Sequence, residues 1–184
     1  MTNVSVVIVN YNSGRFLELC VNSVCRSDCL LEIIVVDNAS TDGSADFLGN
    51  LTASDVSLQV IRNEENLGFA TAINRGVGYS KSENILLLNP DCLVFPHTIR
   101  LLSEALDADS SAGIVGGLVF NFDGSEQRGC RRREPTLARS LDKTFRRRTF
   151  TTELNQVDMT DEPLPEKRIR VDAVSGSFLM IRRT

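Results

Sequence analysis

The segment ILLLNPDC, residues 85–92, constrains the fold more than any other part of the sequence. Ile85–Leu88 is a run of four apolar residues, as expected for a short strand buried on both faces. Pro90 has no N–H to donate, so strand pairing should stop near Asn89. Asp91 then follows the carboxyl end of a buried strand, where ligands commonly bind in open α/β sheets. A simple Asn-Pro-Asp turn without chemistry is the alternative.

Strand-like segments recur before this one. Val4–Val9, Ile33–Val36 and Gln59–Arg62 are rich in β-branched residues and are predicted strands. A further strand is predicted at Ala112–Phe120, and one or two closing strands are predicted over Ile169–Val174 and Phe178–Ile181.

Helix-like segments lie between the predicted strands. Helices are predicted from Gly14–Arg15 onward, over Ser44–Leu51 with Thr41 or Asp42 as the cap, over Phe69–Tyr79, and from Pro96 onward. In the first helix we expect the face that carries Phe16, Leu19, Cys20 and Ser23 or Val24 to pack on the sheet. Alternating strands and helices predict an α/β fold, in which helices flank a Rossmann-like, mostly parallel sheet.

The composition is that of an ordinary globular protein. The 184 residues are 42% hydrophobic and 24% charged, with a net charge of −4. This length predicts a single domain over residues 1–184, and the acidic balance argues against nucleic acid as a partner. No apolar run approaches the ~18 residues of a membrane span and the start lacks a signal peptide, which favours a cytoplasmic location. Five cysteines without paired C-x-x-C spacing predict neither a disulfide framework nor a zinc site.

The composition changes after residue 127. Residues 128–148 contain nine Lys or Arg and two acidic residues, and Met159–Glu166 is rich in proline and acid. We expect residues 128–168 to form a solvated, mobile segment. A more specific hypothesis is a basic patch that faces a lipid-diphosphate acceptor or an anionic membrane at the inner face of the membrane.

Polar segments follow three of the predicted strands: Asn10–Ser13, Asp37-Asn38 and Asn89–Asp91. In a parallel sheet these ends share one edge, so the segments can converge on one cleft. The turn NYNSGR lacks the G-x-G-x-x-G of dinucleotide sites, and no P-loop is present. A phosphate-bearing ligand would need a metal or basic side chains. Asp91 is the best placed metal ligand, since Mg²⁺ commonly takes only one or two protein carboxylates.

Four motifs carry a family resemblance: VSVVIVNYNSG, IIVVDNASTDGS, NEENLGFATAINRG and ILLLNPDC. In this order they resemble family 2 glycosyltransferases of the GT-A fold, and rhamnosyltransferase-like members in particular. The resemblance covers residues 3–125 well and extends more loosely to the end. It implies transfer of a sugar such as rhamnose, with inversion, from a UDP- or dTDP-linked donor to a glycan or lipid-linked acceptor in cell-wall or polysaccharide biosynthesis. It also implies Mg²⁺ or Mn²⁺ as the cofactor.

The same resemblance implies roles for individual residues. Val9, Asn10 and Tyr11 would line the nucleotide pocket, and Asp37 would accept hydrogen bonds from the pyrimidine base. Gly68 and Asn74 would border the ribose and donor sugar, and Arg75 would approach the diphosphate. Asn89 and Asp91 would occupy the first and last positions of the Asp-x-Asp motif. Asp91 would be the metal ligand, and it is the only carboxylate in this motif because Asn89 occupies the first position. As alternatives, Asp37 caps the next helix, and Asn74 and Arg75 form a solvated helix face.

A general base is missing from this set. Members of the family carry an acidic motif beyond a segment like VSGSFLMIRR, and its Asp activates the acceptor hydroxyl. No such motif follows before Thr184. We therefore expect a donor-binding part whose catalytic base is unknown. A non-catalytic module that binds a nucleotide or a partner surface is the alternative function.

Overall fold

The computed structural model describes residues 3–51, 56–134 and 157–183. These residues form two compact units, the first within residues 3–115 and 176–183 and the second within residues 116–175. A single domain over the whole chain stays a prediction, as does the mobility of residues 128–168. Most of the basic run, from residue 135 to residue 148, lies outside the described residues.

Eight strands and three α-helices are assigned in the described residues. The strands are β1 (Asn3–Asn10), β2 (Leu30–Asp37), β3 (Val56–Arg62), β4 (Asn84–Leu88), β5 (Ile114–Gly116), β6 (Arg131–Arg132), β7 (Ala173–Val174) and β8 (Phe178–Arg182). The helices are α1 (Phe16–Val24), α2 (Phe69–Tyr79) and α3 (Thr98–Asp107), and a short 3₁₀ helix covers Asp46–Asn50.

The first unit is built on a six-stranded sheet in the order β3-β2-β1-β4-β8-β5. Strands β1 to β4 are parallel, and β8 runs antiparallel to β4. The predicted mostly parallel α/β sheet is therefore confirmed. The chain passes from β1 outward through β2 to β3 and then returns to β4 on the other side of β1. Ligands of open α/β sheets bind at such a reversal, outside the carboxyl ends of the strands.

Helix α1 packs on the sheet through a face that differs from the predicted one. Leu17, Cys20, Val21 and Val24 are buried, whereas Phe16 and Leu19 are exposed. Both sets of residues repeat at three- and four-residue intervals, so the periodicity alone did not distinguish the two faces. The expectation that Phe16 and Leu19 contact the core was wrong.

The helix predicted over residues 44–51 is only the 3₁₀ helix, and no side chain caps it. Asp42 instead accepts hydrogen bonds from the backbone N–H groups of Ser44 and Gly14, each at 2.9 Å. It thereby ties the turn after β2 to the turn after β1. The strand predicted over residues 112–120 is also shorter, because only Ile114–Gly116 pairs as a strand.

Helix α2 lies against β1 and β2 at a glycine. A Cβ atom on Gly76 would lie 2.5 Å from Val7 Cγ1 and 3.0 Å from Val36 Cγ2. Both valines are fully buried in the centre of the sheet. The absence of a side chain at residue 76 is therefore what lets α2 approach the sheet closely.

The second unit contains the antiparallel pair β6-β7 and a buried ion pair. Arg131 donates to both carboxylate oxygens of Glu126 at 2.7 Å, and each side chain is 6% exposed. The same guanidinium donates to the carbonyls of Met159, at 3.1 Å, and Glu162, at 3.2 Å. In neither unit does the described chain contain a helix with the length and hydropathy needed to span a bilayer.

Candidate functional site

The carboxyl edge of the first three strands is lined by buried polar residues. Asn10, Asp37 and Asn63 end or follow β1, β2 and β3, and none is more than 7% exposed. Their backbones continue the ladder, since Asn38 N donates to Asn10 O and Asn63 N to Asp37 O, both at 2.8 Å. The sheet therefore fixes the spacing of these side chains.

The amide of Asn10 organises the two loops above this edge. Its Nδ2 lies 3.0 Å from Asp37 Oδ1, 3.0 Å from Ser40 Oγ and 2.9 Å from Ser44 Oγ. Its Oδ1 accepts a hydrogen bond from the hydroxyl of Ser13. Asn10 thus holds the carboxylate of Asp37 and the turn after β2 in one arrangement.

Asp37 forms the wall of a small cavity. Its side chain is 5% exposed, and its Oδ2 lies 3.4 Å from Nη1 of Arg62, whose side chain is 58% exposed. The cavity has a volume of ≈ 280 Å³ and is lined by Asp37, Ser40, Thr41, Gly43, Ser44, Ala45, Asp46 and Arg62. Since the following 3₁₀ helix has no side-chain cap, Asp37 does not cap it.

A second cavity lies beside the first and shares Arg62 with it. It has a volume of ≈ 560 Å³ and is lined by Arg62, Asn63, Glu64, Glu65, Leu67 and Arg75. Arg75 Nη1 donates to Asn63 Oδ1 at 2.7 Å, so this guanidinium is held toward the end of β3.

Asn38 holds the loop that borders this larger cavity. Its Oδ1 accepts from Asn63 Nδ2 at 2.8 Å and from Leu67 N at 3.1 Å, and its Nδ2 donates to Asn66 Oδ1 at 2.6 Å. Asn38 was expected at the sheet edge, but the sequence predicted no role for Asn38, Asn63 or Asn66. The sequence places Asn38 directly after β2 and Asn63 directly after β3, and this repeated Asn at adjacent strand ends is the signal that could have identified them.

The other predicted nucleotide-site residues differ in their exposure. Val9 lies in the core cluster, so its backbone and not its side chain borders the edge. Tyr11 is exposed in the turn after β1. Gly68, with φ of 78°, is the N-cap of α2, and Asn74 is exposed on that helix.

Asn89 and Asp91 follow β4, on the other side of β1 from Asp37. Asn89 N donates to Ser177 O at 2.8 Å and Cys92 N donates to Asn89 O at 3.1 Å, which fixes the turn that carries Asp91. Asp91 itself is exposed. The structure therefore presents this carboxylate to solvent at the sheet edge.

The chemistry around Asp91 fits a hard cation such as Mg²⁺ or Mn²⁺. Burial, together with the charge of Asp91, raises the pKa of the nearby Cys92 thiol to about 11, and burial raises the pKa of the Cys20 thiol. Hard cations take oxygen ligands rather than thiols, so the carboxylate of Asp91 is the suitable side-chain ligand in this turn. In residues 3–51, 56–134 and 157–183, no group of three or more His, Cys, Asp or Glu could hold a metal ion. A single carboxylate suits a cation that takes its other ligands from water and phosphate.

Known proteins resemble this chain in sequence and in structure. The model of the family described as Glycosyl transferase family 2 matches residues 5–178. The glycosyltransferase GlyG of Streptococcus pneumoniae is 32% identical over 124 residues, which are 67% of this chain and 41% of GlyG. The N-acetylglucosaminyl-diphospho-decaprenol L-rhamnosyltransferase of Mycobacterium tuberculosis is 27% identical over all of this chain and 63% of its own length.

Among solved structures, the mannosyltransferase PcManGT from Pyrobaculum calidifontis, in complex with GDP-Man and Mn²⁺, superposes with a TM-score of 0.60 and 27% identity. The match covers 64% of this chain and 35% of PcManGT. These similarities confirm the expected GT-A-like fold. This chain spans between roughly two fifths and two thirds of the length of the two relatives.

Proposed function

Because this chain belongs to glycosyl transferase family 2, we propose that it forms the donor-binding part of an inverting glycosyltransferase. The donor is a UDP- or dTDP-linked sugar such as rhamnose, and the acceptor is a glycan or a lipid-linked sugar. The observation that carries this proposal is the placement of Asp37 and Asp91 on either side of β1 at the carboxyl edge of the sheet. One ligand that lies across this edge can contact both carboxylates.

Asp37 is proposed to recognise the base of the donor. Its Oδ1 is engaged by Asn10, while its Oδ2 faces Arg62 at the smaller cavity. A carboxylate held in this way can accept a hydrogen bond from a base N–H without moving. Asn10 and the backbone of Val9 form the floor beneath that base, and the exposed ring of Tyr11 is available to cover it.

The remaining residues are proposed to bind the diphosphate and the sugar. Arg75 lines the larger cavity and supplies positive charge there, while Gly68 and Asn74 border the ribose and the donor sugar. Asp91 would hold Mg²⁺ or Mn²⁺, with Asn89 beside it. When bound, the cation would neutralise the charge that builds up on the departing nucleoside diphosphate.

Two of the similar proteins support parts of this proposal. The mycobacterial relative is named for a rhamnosyl transfer to a diphospho-decaprenol-linked sugar, which supports a lipid-linked acceptor. The PcManGT complex contains Mn²⁺, which supports a divalent cation beside the donor.

Substitution of Asp37 tests base recognition. Losing a charge-assisted hydrogen bond costs about 1.5–3 kcal/mol, or roughly 10–100-fold in affinity. Asp37→Ala should therefore weaken UDP and dTDP by that factor in calorimetry, while the binding of ADP, expected to be weak, stays unchanged. Asp46→Ala removes an exposed carboxylate from the wall of the same cavity and is the matched control. An equal loss of all three nucleotides would show that Asp37 is only structural.

Transfer is tested separately from binding. The chain is incubated with UDP- and dTDP-linked sugars, Mn²⁺ and candidate acceptors, and nucleotide release is followed with and without acceptor. Acceptor-dependent release supports glycosyl transfer. Because the catalytic base is unknown, the result expected of this donor-binding part is donor binding with at most slow, acceptor-independent hydrolysis. Donor binding without any nucleotide release would favour the non-catalytic nucleotide-binding module.

A further inference from the structure

Two large apolar side chains project from the segment between β4 and α3. Leu93 is 52% exposed and Phe95 is 80% exposed, whereas Val94 between them is buried. The backbone of this segment is held at both residues of the Val94-Phe95 pair. Val94 N donates to Ser23 Oγ of α1 at 3.1 Å, and Phe95 N donates to Thr98 Oγ1 at 3.2 Å. A fixed backbone therefore displays these apolar side chains to solvent.

Helix α1 extends the same surface. Phe16 is 48% exposed and Leu19 is 40% exposed. Together with Ser23 they are spaced at three and four residues, which places all three along one side of the helix. Because Ser23 binds the backbone of Val94, this side of α1 lies beside the projecting segment. We call the four exposed side chains the apolar ledge: Phe16, Leu19, Leu93 and Phe95.

The apolar ledge adjoins the carboxyl edge of the sheet. Its second part begins two residues after Asp91. Its first part is tied to the same turn, because Cys20, one helical turn beyond Phe16, donates from its thiol to Asn89 O at 3.5 Å. Residues 92–96, CLVFP, carry no charge. An uncharged, apolar surface therefore lies next to the turn that carries Asp91.

The size of the apolar ledge limits what can cover it. At about 200 Å² for a large side chain, the four exposed fractions correspond to roughly 400 Å² of apolar surface. Exposed apolar patches of this size are often functional. A stable protein interface takes about 800 Å² from each partner, so the ledge alone is too small to join two copies of this chain. Side chains that project in this way can instead enter the hydrocarbon of a lipid layer.

We propose that the apolar ledge binds the surface of a lipid bilayer, with Leu93 and Phe95 inserted at the boundary between headgroups and acyl chains. Such binding grows with the apolar area that is buried there. This inference rests on the proposed function for the acceptor, because a sugar carried on a lipid has to reach Asp91 from the bilayer. The ledge would hold the Asp91 edge of the sheet close to that surface.

The test is co-sedimentation of the protein with vesicles of phosphatidylcholine. These vesicles carry no net charge, so they do not attract the basic residues after residue 127. Wild type should bind, and Leu93→Ser combined with Phe95→Ser should weaken binding by about tenfold or more, because these two side chains supply more than half of the ledge. Tyr79→Ser is the matched control, since it removes a side chain that is 46% exposed on α2 and should leave binding unchanged.

A tryptophan reporter locates the contact. The sequence contains no Trp, so Phe95→Trp and Tyr79→Trp each carry a single indole. When vesicles are added, the emission of Phe95→Trp should shift to shorter wavelength, because its indole leaves water. The emission of Tyr79→Trp should not shift. Circular dichroism should show the same unfolding midpoint for wild type and for the double serine variant, because both replaced side chains are exposed.

Three results would overturn the proposed bilayer contact. One is a wild type that does not bind the vesicles, and another is unchanged binding by the double serine variant. The third is an unshifted Phe95→Trp emission while the protein binds, which would assign the contact to another surface. Failure of the proposed function is measured separately, because nucleotide binding in the presence of Mn²⁺ requires no vesicles.

Discussion

Gly76 on α2 provides a direct test of how the helix is seated against the sheet. An alanine there would place its Cβ 2.5 Å from Val7 Cγ1, a distance that requires the valine or the helix to move. Val7 is a fully buried, β-branched residue of β1, so it has little freedom to rotate away. Overpacking of this kind costs about 1–3 kcal/mol. The gain in helix propensity, about 0.5–1 kcal/mol, offsets part of that cost.

Gly78 is the matched control, two residues further along the same helix. A Cβ at residue 78 would meet no atom within 4 Å. Gly78→Ala should therefore stabilise the protein by up to about 1 kcal/mol through helix propensity alone. Each variant adds one methyl group to the same helix, at positions two residues apart, so the gain in helix propensity is similar in both. We therefore expect their free energies of unfolding to differ by the overpacking cost of about 1–3 kcal/mol.

Urea unfolding followed by circular dichroism measures this difference. For a typical slope of about 2 kcal/mol per molar urea, the midpoints of the two variants should lie about 0.5–1.5 M apart, with Gly76→Ala the lower. Equal midpoints, or a Gly76→Ala variant as stable as Gly78→Ala, would refute the close approach of α2 to Val7 and Val36.

Two further predictions concern buried polar networks. Asn38→Ala should destabilise the loop that follows β3 by about 1–3 kcal/mol, because it removes three hydrogen bonds. The backbone amide of Leu67 should then exchange its hydrogen faster than in wild type, and an unchanged exchange rate would contradict this prediction. Arg131→Ala should destabilise the second unit by about 3–5 kcal/mol in thermal unfolding, because Glu126 is left buried and unpaired. A joint Arg131→Met and Glu126→Met variant should recover much of this loss, and a double variant less stable than Arg131→Ala would contradict the ion-pair argument.

The long apolar segments made much of the sheet predictable. β1, β2 and β4 are nearly continuous hydrophobic runs, and a strand buried on both faces requires such a run whatever its neighbours are. Helix α2 has the predicted bounds, Phe69–Tyr79, because its apolar spacing ends where Ser80 begins an extended segment. The position of Asp91 after β4 followed from Pro90, whose missing N–H stops the ladder.

Features that depend on distant partners were less accessible from the sequence. Two apolar stripes on α1 satisfy a helical period, and only the sheet decides that Leu17 and Val21 are buried while Phe16 and Leu19 are exposed. The residues after Gly116 have the composition of a strand, yet Phe120 forms only an isolated bridge with Glu126.

The polar contacts of the site also depend on partners that are distant in sequence. Asn38 and Asn66 are separated by 28 residues, and their hydrogen bond exists only because β2 and β3 end side by side. The sequence therefore predicted which strand ends carry ligand-type residues. It did not predict how Asn10, Asn38 and Asn63 arrange the loops around them.

The proposed donor site requires that nucleotide binding depend on both a divalent cation and Asp91. Calorimetry of UDP binding should be carried out with Mn²⁺ and again with a chelator, for wild type, for Asp91→Ala and for Glu104→Gln, which removes a carboxylate from the exposed side of α3. We predict that Mn²⁺ strengthens UDP binding to wild type and to Glu104→Gln by roughly tenfold or more, about 1.4 kcal/mol, and that Asp91→Ala loses this response. Equal UDP affinity with Mn²⁺ and with chelator, or an Asp91→Ala variant that still responds to Mn²⁺, would contradict the proposed donor site.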